Sequence, residues 1–215
     1  PLKGTIFECS KTPLLSWFFA LWLFSVSKHG VSAKELERQL GVTYKTAWRM
    51  ANRIRGLMVQ PKTPLSGVVE ADETYVGGKA RLKVKMGNKT GIFGMVERGG
   101  RVRAFTIPSR RMWVLLHRIY KNVKLGSAVY TDEYKGYGPL LRMGYRRGSV
   151  KHSAYEFARG RVHINSVEGF WSQFKRGLHG THHYVSKKHL QSYLDEAAFR
   201  WNHRSSVFEE LLARL

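Results

Sequence analysis

Acids are scarce in this chain, which carries 37 Lys and Arg against 15 Asp and Glu for a formal charge of +22, so each carboxylate can be weighed singly. Asp72 lies in GVVEADETYVGG, Asp132 in SAVYTDEYKGYG and Glu168 in HINSVEGFWSQFKRGLHG. Brought from three separate elements to one edge of a sheet, they would offer hard oxygen ligands to two divalent cations. An acid set among so many bases is either neutralised by them or reserved for something more positive. The ordinary alternatives are equally concrete. Asp132 could cap a helix at a strand-to-helix junction, Asp72 could form a turn, and Glu168 could pair with Lys175 or Arg176. Periodicity does not choose between Asp72 and Glu73, or between Asp132 and Glu133.

The elements that would position these acids can be read from local pattern. GVVEADETYVGG, GIFGMVERGG and RVRAFTIPS are short and rich in Val, Ile, Phe and Thr, with Gly99 and Gly100 between the last two, and they predict three sequential antiparallel strands. Residues 110–122 repeat Met112, Leu115, Leu116 and Ile119 at helical spacing, and SAVYTD follows as a short buried strand. Residues 164–178 and 186–202 predict two helices joined by the His-rich loop HGTHH. Strands, then a helix, a strand and more helices describe an α/β mixed sheet flanked by helices.

Ahead of the sheet the texture is helical. In VSAKELERQLGVTYKTAWRMANRIRGLM, Ser32 and Glu35 form a capping box and Gly41 ends the helix. A second helix follows, with Thr43 as its cap and Ala47, Met50, Ile54 and Met58 on its inner face. The pair reads as a helix-turn-helix, with Tyr44, Lys45, Thr46 and Arg49 early in the second helix, where such helices meet base edges or phosphates. The plain alternative is a helical hairpin with a solvated basic face. Residues 14–28 supply a third, strongly apolar helix. The proline-containing stretch QPKTPLSG separates the regions, giving a helix-turn-helix region over 1–60, a linker over 61–66 and a sheet domain over 67–215.

The charge balance favours a polyanion, usually nucleic acid, as partner. The apolar run from Leu14 to Val26 is short of the roughly 20 residues a spanning helix needs, so no membrane is expected. One cysteine, Cys9, precludes an internal disulfide or a complete cysteine-based zinc site and points to a reducing cytoplasm. His179, His182 and His183 are metal-ligand types, though such a loop more often touches phosphate or caps a helix. Phe170, Trp171 and Phe174 have the spacing of core residues. Arg200, Asn202 and Arg204 could line a DNA path or form the solvated end of the last helix.

At ADETYVGGK, YTDEYKGY and HINSVEGFWSQFKRGLHGTHHYVSKKHLQSYLDEAAFRWNHR the chain resembles the transposases of the ISXO2-like (IS1595) insertion-sequence family. GTIFECSKTPLLSWFFALWLFSVSKHGVSAKELERQLGVTYKTAWRM resembles the region preceding their catalytic core. The resemblance implies an RNase H-like core with Asp72 as first acid, Asp132 as second and Glu168 as third, and with Asn165, one turn before Glu168, as the rival for the third place. It further implies two Mg²⁺ or Mn²⁺ ions, DNA ends and target DNA as partners, Lys175 and Arg176 along the DNA, and a homo-oligomer at the bacterial nucleoid. The implied reaction is hydrolytic nicking followed by transesterification into a target. A non-catalytic DNA-binding derivative, or a nuclease of the same fold, would share most of these residues. Family members also carry a cysteine-bearing zinc ribbon ahead of this region, so the chain, beginning at Pro1, reads as a fragment or processed form.

Overall fold

A computed structural model describes residues 2–77 and 89–215. The end of the first predicted strand, Gly78, lies outside the described residues, as does Lys79 of the family-like motif. The chain forms two compact units, one of Pro1–Gln60 with Arg176–Leu215 and the other of Pro61–Lys175. Residues 176–215, expected with the sheet from their place in the sequence, therefore group with the first sixty.

The helical unit opens with α1 (Leu14–Val26), α2 (Ala33–Leu40) and α3 (Tyr44–Leu57). Ser32 caps α2 by accepting the Glu35 N–H at 3.1 Å, while the Glu35 carboxylate turns outward to Arg38 and Gln39. Only half of the expected capping box forms. Gly41 ends α2 in the left-handed region, φ 62°, where a side chain would be strained, and Thr43 caps α3. Trp17, Leu21 and Phe24 of α1, Leu36 of α2 and Met50 and Ile54 of α3 share one core with Phe199 and Leu211. The last two belong to α6 (Leu190–Asn202) and α7 (Val207–Leu212), so burial of apolar surface recruits the C-terminal helices to this unit. Leu15, Phe18, Phe19, Trp22 and Val26 of α1 are exposed. Among the described residues no helix is long and apolar enough to cross a membrane.

A buried charge network reinforces that recruitment. Arg55 of α3 donates to Glu196 of α6 at 2.7 Å and to the Val31 carbonyl at 3.1 Å, and Arg200 donates to Glu196 and to the Ser27 carbonyl. Gly30, at φ +87°, passes so close to Glu196 that a Cβ there would lie 2.6 Å from its Oε1.

The other unit is built on a five-stranded mixed sheet in the order β3-β2-β1-β4-β5. The strands are β1 (Val68–Gly77), β2 (Lys89–Glu97), β3 (Val102–Ile107), β4 (Ala128–Thr131) and β5 (Arg146–Ser149). The first three are antiparallel, whereas β4 runs parallel to β1 and to β5. The crossover to β4 is α4 (Met112–Asn122), whose Leu115 and Ile119 join Val69, Ala71, Phe93 and Met95 in a core on one face. Alternate residues point to the other face, which is covered by α5 (Asn165–Gly177) through Val167, Phe170, Trp171 and Phe174. β1 is the middle strand, and Asp72 pairs with Gly94 of β2. A Cβ on Gly94 would lie 2.6 Å from the Trp171 ring, so bare backbone there admits α5 close to the sheet.

Candidate functional site

Residues 70, 72 and 74 of β1 share the face that α5 covers, and each does something different. Glu70, fully buried, accepts from the Ser166 and Val167 N–H groups at 2.7 and 3.2 Å, so a strand carboxylate satisfies the open N-terminus of α5. Arg98 and His163 complete its shell. Four residues on, the Thr74 hydroxyl accepts from Lys175 Nζ at 2.7 Å, near the other end of the helix. α5 is thus tied along β1 at both ends, and Asp72 lies between the ties. Glu70 went unread in the sequence, although the period-two pattern E-x-D-x-T in VEADET marks one face of a strand and was the available signal.

Asp72 is therefore mid-strand, not a turn former. Burial, and then the negative charges of Glu73, Asp132 and Glu168, push its carboxyl up to about 7. Among the described residues no cation pairs with it. β1 and β4 are in register with Glu70 opposite Tyr130, and Asp132 directly follows the end of β4.

The two ambiguous acid pairs separate cleanly by their partners. Glu73, next to Asp72, accepts from the Tyr137 hydroxyl and from Arg110. Burial raises the Glu73 carboxyl above its ordinary range, opposed by those two donors. Glu133, next to Asp132, accepts from the His152 and Ser153 N–H groups at 2.8 and 3.1 Å and ties down the turn they begin. Asp132 itself accepts the Tyr134 N–H on Oδ1 at 3.0 Å, which closes a local turn and does not cap a helix, since the next short helix begins at Lys135 with Tyr134 as its cap residue, and it meets Arg110 Nη2 through Oδ2 at 3.3 Å.

Glu168 is exposed on α5 and faces His152 Nδ1 at 3.8 Å, not Lys175 or Arg176. Asn165 opens α5 and is exposed. Asp72, Asp132, Glu168 and Asn165 thus belong to the same unit, with Lys175 held at its edge by Thr74. Oxygen donors of like charge that repel one another suit a hard divalent cation, although among the described residues no three Asp, Glu, His or Cys are gathered tightly enough to hold an ion as they stand.

The remaining candidates lie in the helical unit. Tyr44 is exposed, with Lys34 Nζ 5.2 Å from its ring centre. Lys45, Thr46 and Arg49 line an open concavity of about 480 Å³ with Lys11, Thr12 and Trp48. Arg176 and Arg204 are exposed, the latter stacked 3.9 Å from the Trp201 ring. Arg200 differs: its side chain is 12% exposed and donates to Glu196 and the Ser27 carbonyl, so it braces the helical unit internally. His182 is part-buried against Tyr193, while His179 and His183 are exposed.

Residues 64–202 match the ISXO2-like transposase domain. A protein in the transposable element ISH50 of Halobacterium salinarum is 31% identical over 215 aligned residues, covering 89% of this chain and 70% of the relative. A transposase-like protein of Haemophilus influenzae is 31% identical over 102 residues, covering 47% of this chain and 81% of that one. A chain in the cryo-EM structure of a simian T-cell lymphotropic virus intasome bound to the PP2A regulatory subunit B56 gamma is 12% identical with a TM-score of 0.38, and the alignment spans 87% of this chain but only 65% of that one. With well over half its length matched to the domain, the chain belongs to the ISXO2-like transposase family.

Proposed function

We propose that this chain cleaves the DNA ends of an insertion sequence and transfers them into target DNA, using Asp72, Asp132 and Glu168 to hold Mg²⁺ or Mn²⁺. The observation that carries the reading is the carboxylate of Asp72, which meets no cation among the described residues and is fixed at mid-strand beside two other acids in a chain of charge +22. Buried groups perturbed by a specific set of charges are more common at working sites than elsewhere. The strand order, with the first acid on the central strand and the second at the end of its parallel neighbour, supports an RNase H-like core.

Bound to these acids, divalent ions would activate a water or a DNA 3′ hydroxyl and neutralise the leaving oxygen of an in-line displacement. Asp72 would supply a rigid ligand because it is paired with Gly94 of β2 within the middle strand of the sheet, Asp132 one from just past the end of β4, and Glu168 a more mobile one from the exposed face of α5. Asn165, one turn earlier, is the alternative third ligand. Lys175 places a positive charge beside the acids, where a phosphate would lie. Tyr44, Lys45, Thr46 and Arg49 of a helix-turn-helix within residues 1–60 would grip the DNA, with Arg176 and Arg204 adding phosphate contacts. Two ends must be joined, so a homo-oligomer on DNA is the working form.

The test is a joining assay with labelled inverted-repeat DNA and unlabelled plasmid in Mg²⁺, Mn²⁺ or EDTA, with intact and pre-nicked ends. Asp72→Asn, Asp132→Asn and Glu168→Gln should each lower joining by roughly a thousandfold while leaving DNA binding intact, a loss of about 4 kcal/mol of transition-state stabilisation. Full activity in Glu168→Gln with loss in Asn165→Ala would transfer the third place to Asn165. Cleavage without joining would make the protein a nuclease. Binding in EDTA with no reaction in either metal would leave it a DNA-binding protein.

A further inference from the structure

The acid cluster contains a base that the reaction just described does not use. Arg110, just before α4, donates through Nε to Glu73 and through Nη2 to Asp132 Oδ2 at 3.3 Å. Its guanidinium carbon lies 4.4 Å from the centre of the Tyr134 ring. Tyr134 in turn donates its hydroxyl to the Arg110 carbonyl at 3.1 Å and its N–H to Asp132 Oδ1 at 3.0 Å. Arg110, Tyr134 and Asp132 thus form a closed ring of contacts, with the Glu73 side chain, 2% exposed, as its buried foot.

The contacts of Arg110 are unequal. The bond to Glu73 is close and shielded, and Glu73 is further fixed by the Tyr137 hydroxyl. The contact with Asp132 is longer and sits where that carboxylate is 21% exposed. A planar, permanently charged fork suits such bridging of two carboxylates. Both oxygens of Asp132 are consequently engaged, and an incoming cation would meet a positive charge already on Oδ2.

We infer that Arg110 is a resident counter-ion of the site: retained by Glu73, it neutralises Asp132 until a divalent cation takes Oδ2 and the guanidinium gives up that contact alone. This inference rests on the reading of Asp132 as a cation ligand. It assigns Glu73 the work of holding the arginine and not of binding the ion. It also predicts that the site trades cation affinity for integrity when empty, because without Arg110 the crowded carboxylates would repel one another unopposed.

The test is Mn²⁺ binding by isothermal titration calorimetry, with free Mn²⁺ followed by its EPR signal, on wild type, Arg110→Gln, Arg110→Lys and Asp132→Asn, each checked for fold by circular dichroism. Removing one positive charge a few ångströms from the ion at a solvent-accessible site should tighten Mn²⁺ binding roughly tenfold in Arg110→Gln. Arg110→Lys, which keeps the charge but cannot bridge both acids, should bind two- to threefold tighter, roughly, than wild type. If Arg110→Gln does not fold, the lysine variant decides alone. Equal or weaker binding in the folded Arg110 variants, with binding still weakened by Asp132→Asn, overturns the inference and leaves the cation site standing. Mn²⁺ binding unchanged by Asp132→Asn removes that site and the inference together.

Discussion

Two clusters of charge, one in each unit, differ in sign of balance. Around Glu196 one carboxylate faces Arg55 and Arg200, and although burial opposes ionisation the two cations hold its pKa below the ordinary range. Around Asp72 lie three further carboxylates, of which Arg110 pairs with Glu73 and Asp132, and the Asp72 carboxyl rises to about 7. Each cluster holds one carboxylate withdrawn from water, Glu196 in the first and Glu73 in the second, so burial alone does not separate them. What separates them is whether the described residues supply the compensating charge. A closed balance braces helices, and an open one fits the cation-holding role proposed for the acids.

The comparison breaks most readily at Glu196. Glu196→Ala leaves two arginines facing each other in a buried site and should cost about 3–5 kcal/mol, read from urea denaturation followed by circular dichroism. A loss below about 1 kcal/mol would mean that the network braces nothing.

Acid should act on the two clusters in opposite directions. Burial lowers His182 to about 4, with Arg55 and Arg200 adding to the effect and Glu196 opposing it. The unfolded chain then takes up its proton first, and stability falls as pH drops from about 6.5 to 4 by about 3 kcal/mol. Melting curves across that range should show the fall in wild type and not in His182→Gln.

For Asp72 the folded pKa lies above its ordinary value near 4, so the native state takes up the proton first and stability rises as pH drops from about 7 to 4. Part exposure screens the charge, leaving about 2 kcal/mol. Asp72→Asn should abolish this rise and be more stable than wild type at neutral pH. If the substitution destabilises instead, the charge at Asp72 was already compensated and the contrast between the clusters fails. The smallest effect concerns packing: Gly94→Ala should cost about 1–2 kcal/mol by overpacking against Trp171, and Trp171→Leu in the same chain should recover part of it.

Much of this was legible where local chemistry dictates structure. Ser32, Gly41 and Thr43 delimit their helices as expected, and the first four strands and α4 follow from apolar pattern. The hidden parts are those that depend on distant partners. β5 reads RRGS and is held by pairing with β4, with no apolar face to announce it. Glu70 looks like any acid of the strand until α5 sets its open end over it. Arg110 is one base among many until the fold places it between Glu73 and Asp132. The grouping of α6 and α7 with the first sixty residues depends on Arg55 finding Glu196 across 141 positions, which no short-range pattern encodes.

Gly94 carries a dimensional consequence. Trp171 lies on bare backbone directly across from Asp72, and Glu168 sits one turn earlier on the same helix. The spacing between the strand acid and the helix acid is thus gauged by a hydrogen atom. A methyl in its place would act as a shim, lifting the helix by a fraction of an ångström while leaving every charged residue in the sequence intact. Tolerances in the geometry of this acid cluster can therefore be tuned at a position with no chemistry of its own.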